Sequence, residues 1–383
     1  MRSILSAGLV LASALALAAA PPAGLAAESL RTASSAALET RLDAVAAASY
    51  GREPVGSLTV GLVRAGRLVW TGSYGTADIL TGAPANEKTV YRVASVTKQF
   101  TALMLLQLVN EGVVRLDDPV ARYVPEIVRV KGARPGSEPI TLRQLASHTS
   151  GLAVESDDAS FYTHGSDKSW TRTLLAALPH TRYVGPPGAQ YGYSNIDYAI
   201  LALALARAAK TPYTIYVKRK IFWPLGMTHT SFSPPTPINT LARGYVMRDG
   251  EPDGRVPERE LAGRGYKVAS GGAYSTVDDL AKFVAFQMGY GPESVLPRQA
   301  LLASRDLLVS VGGHEDDAHG LGFQLFPDRG FTLFGHVGGI AGYRSLTAYD
   351  PLAGIGVIVL RNVSEGAIDP VILGKSLIKT ARE

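Results

Sequence analysis

The sequence predicts a two-lobe α/β (α+β) protein in which an antiparallel sheet flanked by helices is drawn from both ends of the chain and interrupted by a mainly helical lobe. Three observations carry this. Strand-like alternation occupies Ser57 to Gly75 and returns in the last third as GFTLFGHVGG, YRSLTAYD and AGIGVIVLRNV. Between them, Leu116 to Gly244 mixes helical stretches such as Tyr198 to Ala209 with Pro- and Gly-rich loops such as Val130 to Pro139 and Val184 to Ala189. The 383 residues also exceed the about 250–300 at which a single core stops growing, which favours two lobes. The expected division is a discontinuous sheet lobe over 28–90 and 245–383 and a helical lobe over 91–244.

Taken in order, residues 1–27 read as an export signal. Arg2 precedes an apolar run from Ile4 to Ala20, and Pro21-Pro22 and small residues around Ala26-Ala27 follow. The run is short for a membrane span, so a mature chain starting near Ala27 is expected to be soluble, and periplasmic or secreted. Ala36 to Ala48 has helical composition, and the two strands after it turn at Ala65-Gly66. QFTALMLLQLVN (Gln99 to Asn110) is apolar on nearly every face and predicts a helix buried all round, ended by Gly112. A closing helix is expected from Asp369 to Ala381.

Composition narrows the function. At 46% hydrophobic and 19% charged residues the chain has ample material for a core. The absence of cysteine excludes disulfides, thiolate zinc sites and a thiol nucleophile. A net charge of +5, spread without a basic stripe, gives no reason to expect nucleic-acid binding.

Ser95 and Lys98 stand at the entrance to the buried helix, and a spacing of three puts both functional groups on one helical face. An N-capping serine would account for Ser95 but not for Lys98. In the first turn, near the positive end of the helix dipole and desolvated, a lysine has a lowered pKa that suits a general base. The spacing alone is weak, because Ser376 and Lys379 repeat it in the closing helix. Two further elements occur once each: Tyr193-Ser194-Asn195 and His336-Val337-Gly338-Gly339.

Serine with lysine, then Tyr/Ser-x-Asn, then a basic residue-x-Gly on a strand is the layout of serine β-lactamases and penicillin-binding proteins. With Tyr193 in the second element, the chain resembles the branch of the serine β-lactamase-like superfamily that holds class C β-lactamases, DD-peptidases and family VIII-type esterases. LRQLASHTSGL (Leu142 to Leu152), IFWPLGMTHTSF (Ile221 to Phe232) and ASGGAYSTVDDLAKF (Ala269 to Phe283) resemble further segments of that branch. The resemblance covers nearly all of the mature chain and implies a β-lactamase/transpeptidase-like fold with its active site between the lobes.

It also implies roles. Ser95 is the nucleophile of an acyl-enzyme, and Lys98 and Tyr193 manage its proton, with the base left open between them. Backbone N–H groups of Ser95 and Gly339 form the oxyanion hole, Gly338 and Gly339 let the strand approach substrate, Asn195 holds the lysine or the acyl amide, and His336 lines the substrate site. His148 is expected to be structural. Gly313 to Gly320, with two histidines and three acidic residues, reads as a solvated loop and not a metal site, and no cofactor is expected.

Where this branch handles β-lactams or peptidoglycan stems, the third element is commonly Lys-Thr-Gly or His-Thr-Gly. Val337 offers no hydroxyl here, which favours a small ester or amide substrate over a β-lactam or a peptidoglycan stem peptide. Arg344 is a candidate replacement cation if its side chain turns inward. A D-Ala-D-Ala carboxypeptidase, a class C-like β-lactamase and, in a different class, a non-catalytic sensor of cell-wall fragments are the alternatives. A monomer is assumed.

Overall fold

The structure, a computed structural model, describes residues 23–132, 138–163, 165–311 and 314–383, with the side chains of 23–35 and 314–317 outside that description. Most of the expected export signal, residues 1–22, therefore lies outside the described residues, as does Gly313. Two units separate: Met1–Thr40, whose described part begins helix α1 (Ala23–Gly51), and Arg41–Glu383, which holds everything below.

Among the described residues, nine strands form the main sheet. Near the start of the chain, β1 (Ser57–Arg64), β2 (Arg67–Asp78) and β3 (Ala83–Pro84) follow one another. The last third supplies β4 (Val309–Val311), β5 (His314–His319), β6 (Gln324–Asp328), β7 (Phe331–Ile340), β8 (Tyr343–Asp350) and β9 (Ile355–Arg361). Their spatial order is β3-β2-β1-β9-β8-β7-β6-β5-β4, and every pairing is antiparallel. The two ends of the chain thus meet at the β1–β9 pair. The β1–β2 turn lies at the expected Ala65-Gly66, where both residues take left-handed conformations (φ 47° and 77°), as a two-residue hairpin turn requires.

Both faces of the sheet's centre are covered, which is why IGVIVLR in β9 is buried at every position. On one face lies α5 (Pro370–Arg382), capped by the Asp369 carboxylate and drawn close at Gly374, where a Cβ would stand 2.5 Å from Leu346. On the other lies α4 (Val277–Gln287), with Val284 against Gly356. Beyond it α2 (Thr97–Asn110) and α3 (Asn195–Ala208) are buried on almost every side. Phe100 of α2 meets Phe222 and Phe283 edge to face, and one continuous apolar cluster runs from these helices to Ile358 and Leu360 of β9.

One expectation is corrected. Residues 314–319, read as a solvated loop, form strand β5, between β4 and β6 at the far edge of the sheet. β5 is next to the sheet's edge and pairs with β6 only at His319, opposite Gln324, so apolar alternation is not required of it and the acidic run concealed it. Its last residue, His319, is buried.

Candidate active site

Ser95 does not cap α2 but lies within a single helical turn, Ala94–Val96, that leads into it. Ala94 holds a left-handed conformation (φ 46°), a strained state for a residue with a Cβ, so the surroundings must fix it. They do so from three directions. Val93 N–H donates to Ala273 O (3.0 Å), Ser345 Oγ of β8 donates to Val93 O (2.7 Å), and Thr97 Oγ1 donates to Ala94 O (2.6 Å).

The expected partners converge on this turn. Lys98 is 0% exposed, and its Nζ lies 3.3 Å from Ser95 Oγ, 2.7 Å from Asn195 Oδ1 and 2.9 Å from Ser270 O. Tyr193 OH donates to Ser95 Oγ at 2.9 Å, and the Tyr193 ring stands 4.7 Å from Lys98 Nζ. Burial pushes the Lys98 pKa well below the usual lysine range. Glu155 opposes that shift, while Lys267 and Arg264 add to it, so desolvation rather than the helix end is the main cause. Burial pushes the Tyr193 phenol up, against the bond to Ser95, which pulls it down.

Strand β7 closes the other side. Gly338 is opposite Ser345 and faces the Ser95 turn, where a Cβ would stand 2.4 Å from Val93 O. Its glycine therefore serves the packing of the nucleophile's turn rather than approach to substrate. Strand β6 pairs with β7 only as far as Gly335, and Val337 N–H, on that same edge, goes to Gln324 Oε1 (3.2 Å). Alternation along a strand turns Gly339 N–H to the same edge, beyond the end of β6, where an oxyanion donor belongs. A Cβ at Gly339 would meet nothing within 4 Å.

The other two candidates stand differently. His336 is 1% exposed, bonds through Nδ1 to Val337 O (2.6 Å), and has its pKa pushed well below the usual histidine range by burial and by Lys98. It packs behind Tyr193, with ring centroids 6.4 Å apart, as a neutral ring and not as a cation for substrate. Arg344 is not brought to the site. Its neighbour Ser345 reaches Val93, so Arg344 lies on the opposite face, where its Nε donates to Ser364 O (2.6 Å). His148 does not touch Ser95 but supports Tyr193: its ring lies 4.5 Å from that phenol, and its Nδ1 accepts from Ser194 N–H (3.2 Å). The decoy pair is inert: Ser376 Oγ bonds Ile372 O within α5, and Lys379 reaches Asp328 at 3.5 Å.

Sequence reasoning missed Glu155, Tyr266 and Lys267. Glu155 accepts from Asn195 Nδ2 (2.8 Å) and Tyr266 OH (2.8 Å) and pairs with Lys267. It also missed His319, whose ring stands 4.9 Å from His148 and 6.0 Å from His336. The only available signal for Glu155 was its place three residues beyond the HTSGL segment.

The chain is similar to known proteins along most of its length. It is 30% identical over 301 residues, 76% of this chain, to "Beta-lactamase-like protein 2" of Dictyostelium discoideum, and spans 53% of that relative's length. Among solved structures, the octameric penicillin-binding protein homologue from Pyrococcus abyssi superimposes with a TM-score of 0.76 at 25% identity, over 90% of this chain and 77% of that one. The D-amino acid amidase from Ochrobactrum anthropi SV3 gives 0.73 at 26% identity, over 90% and 99%. The expected β-lactamase/transpeptidase-like fold is thereby borne out. Residues 42–372 match the Beta-lactamase family, and the chain belongs to that family.

Proposed function

We propose that the protein is a serine hydrolase that cleaves small esters or amides through an acyl-enzyme on Ser95. The carrying observation is the double contact on Ser95 Oγ, from Tyr193 OH at 2.9 Å and from a fully buried Lys98 Nζ at 3.3 Å. A neutral amine has two N–H groups and one lone pair. With the N–H groups given to Asn195 Oδ1 and Ser270 O, the lone pair faces the serine hydroxyl.

In this reading Lys98 takes the Ser95 proton as Oγ attacks the acyl carbon. The carbonyl oxygen gains its charge between the N–H groups of Ser95 and Gly339. The leaving oxygen or nitrogen takes a proton from the Tyr193 phenol, which recovers one from the Lys98 ammonium. Water then attacks the acyl carbon as Lys98 takes its proton, the Ser95 Oγ–acyl bond breaks, and that proton returns to Ser95 Oγ as the acid leaves. The raised Tyr193 pKa supports the phenol as donor and Lys98 as base.

Small uncharged acyl groups fit because the β7–β8 side offers no cation: Val337 has no polar group, His336 is neutral, and Arg344 faces away. Similarity to a D-amino acid amidase supports amides beside esters. Action after export is part of the proposal, on the apolar segment Ile4 to Ala20. The test incubates the protein with p-nitrophenyl acetate, an alkyl amide and benzylpenicillin, and reads substrate loss and protein mass. Turnover of ester and amide, with an acetyl group trapped on Ser95 and lost in Ser95→Ala, is expected. Unchanged turnover in Ser95→Ala overturns the mechanism, and rapid penicillin loss overturns the substrate class.

A further inference from the structure

We propose that Glu155, clamped by Lys267 and Tyr266, is a positioning residue for this chemistry: it fixes the amide of Asn195 with its oxygen toward Lys98 and places a compensated charge behind it. The inference rests on the acyl-enzyme reading above and concerns a residue outside the three sequence elements.

The geometry leaves Asn195 one useful orientation. A carboxylate only accepts hydrogen bonds, so Glu155 Oε1, 2.8 Å from the Asn195 amide nitrogen, selects that end of the side chain. The oxygen is then left 2.7 Å from Lys98 Nζ, where it takes an N–H and keeps the amine's lone pair for Ser95. The flipped amide would offer Lys98 a donor, which would compete with Ser95 for that lone pair. Glu155 itself cannot turn away, because Tyr266 OH donates to Oε2 at 2.8 Å and Lys267 Nζ sits on Oε1. Lys267 is in turn nearly buried, with its ammonium 4.6 Å from the centre of the Tyr162 ring.

The same arrangement sets the charge around Lys98. Glu155 favours its ammonium form most among the charges, Asp197 of α3 acts in the same sense, and Lys267 and Arg264 oppose both. From the remaining sides Lys98 faces Tyr193 and Tyr198, and the neutral rings of His148, His319 and His336. Removing the Glu155 charge therefore makes Lys98 harder to protonate, and removing the Lys267 charge makes it easier.

The test is the pH profile of p-nitrophenolate release from p-nitrophenyl acetate in the full chain, for the wild type, Glu155→Gln and Lys267→Gln, within the pH range where circular dichroism shows each folded. The acid limb moves down in Glu155→Gln and up in Lys267→Gln, each by about one pH unit, the size one nearby charge produces. Limbs that stay in place, or that move in the same direction, overturn the inference. If Glu155→Gln does not fold, Lys267→Gln carries the test alone, an upward limb supporting the inference and an unmoved one overturning it. Acetylation lost in Ser95→Ala shows that the underlying reading stands, so unmoved limbs then count against Glu155 alone. Acetylation persisting in Ser95→Ala removes both.

Discussion

Ser345 Oγ in β8 donates to Val93 O at 2.7 Å, and this bond ties the sheet to the turn that presents Ser95. Gly338 lies beside it. An added Cβ would come 2.2 Å from Ser345 Oγ and 2.4 Å from Val93 O, and one of those atoms is backbone and cannot swing aside.

Gly338→Ala therefore forces the strand away from the turn. The expected cost is about 1–3 kcal/mol of stability, typical of overpacking, with a larger loss of kcat/KM because the displaced backbone carries Ser95. Thermal melting and ester hydrolysis check the two together. Gly339→Ala, which meets nothing within 4 Å, melts close to the wild type.

Arg344→Ala separates the two faces of the sheet. With Nε on Ser364 O, on the face away from the Ser95 turn, the residue holds the chain after β9 rather than a substrate. Its loss is expected to leave kcat/KM unchanged within about twofold for neutral and for carboxylated acyl donors alike. A selective loss for carboxylated donors would restore Arg344 to the site.

Arg344 also marks what the sequence could convey. Ser95, Lys98, Tyr193 and Asn195 were legible because short spacings and their order along the chain carry them. The facing of Arg344 was not, since it depends on strand parity, and nothing before the structure set that parity at Ser345. Glu155, Lys267 and His319 reach the site from separate segments through tertiary packing, and none has a partner at a fixed spacing. The strands near both ends of the chain were legible from their β-rich runs, whereas β5 hid in an acidic sequence.

His319 gives a stability prediction in acid. Burial lowers its pKa to about 4, against about 6.5 in the unfolded chain. Between those values the unfolded state binds a proton that the folded state does not. The wild type therefore loses stability through this group as pH falls from about 6.5 to 4. His319→Gln removes the titration, so its melting temperature, below that of the wild type at pH 8, should close on it by pH 4. A constant gap would mean that the ring is not held neutral. His148 and His336, also pushed down by burial, add losses of the same sign, and Asp197, pushed up by burial, acts in the opposite sense.

The division of labour between Lys98 and Tyr193 can be read from the leaving group. If Lys98 is the base, Lys98→Met slows acylation whatever group departs, by about 10²–10⁴-fold. Tyr193 is needed for the proton of the departing atom. An alkoxide or amine needs that proton, whereas p-nitrophenolate departs without it. Tyr193→Phe should therefore slow cleavage of an alkyl ester or amide by a factor in that same range and spare the p-nitrophenyl ester to within about tenfold. Pre-steady-state release of the first product from both substrate types, in both variants, measures this directly. Equal losses for the two leaving groups in Tyr193→Phe would transfer the role of base to the phenol. In that case the raised Tyr193 pKa would have to fall when substrate binds, because a phenol protonated in the free site cannot accept the Ser95 proton.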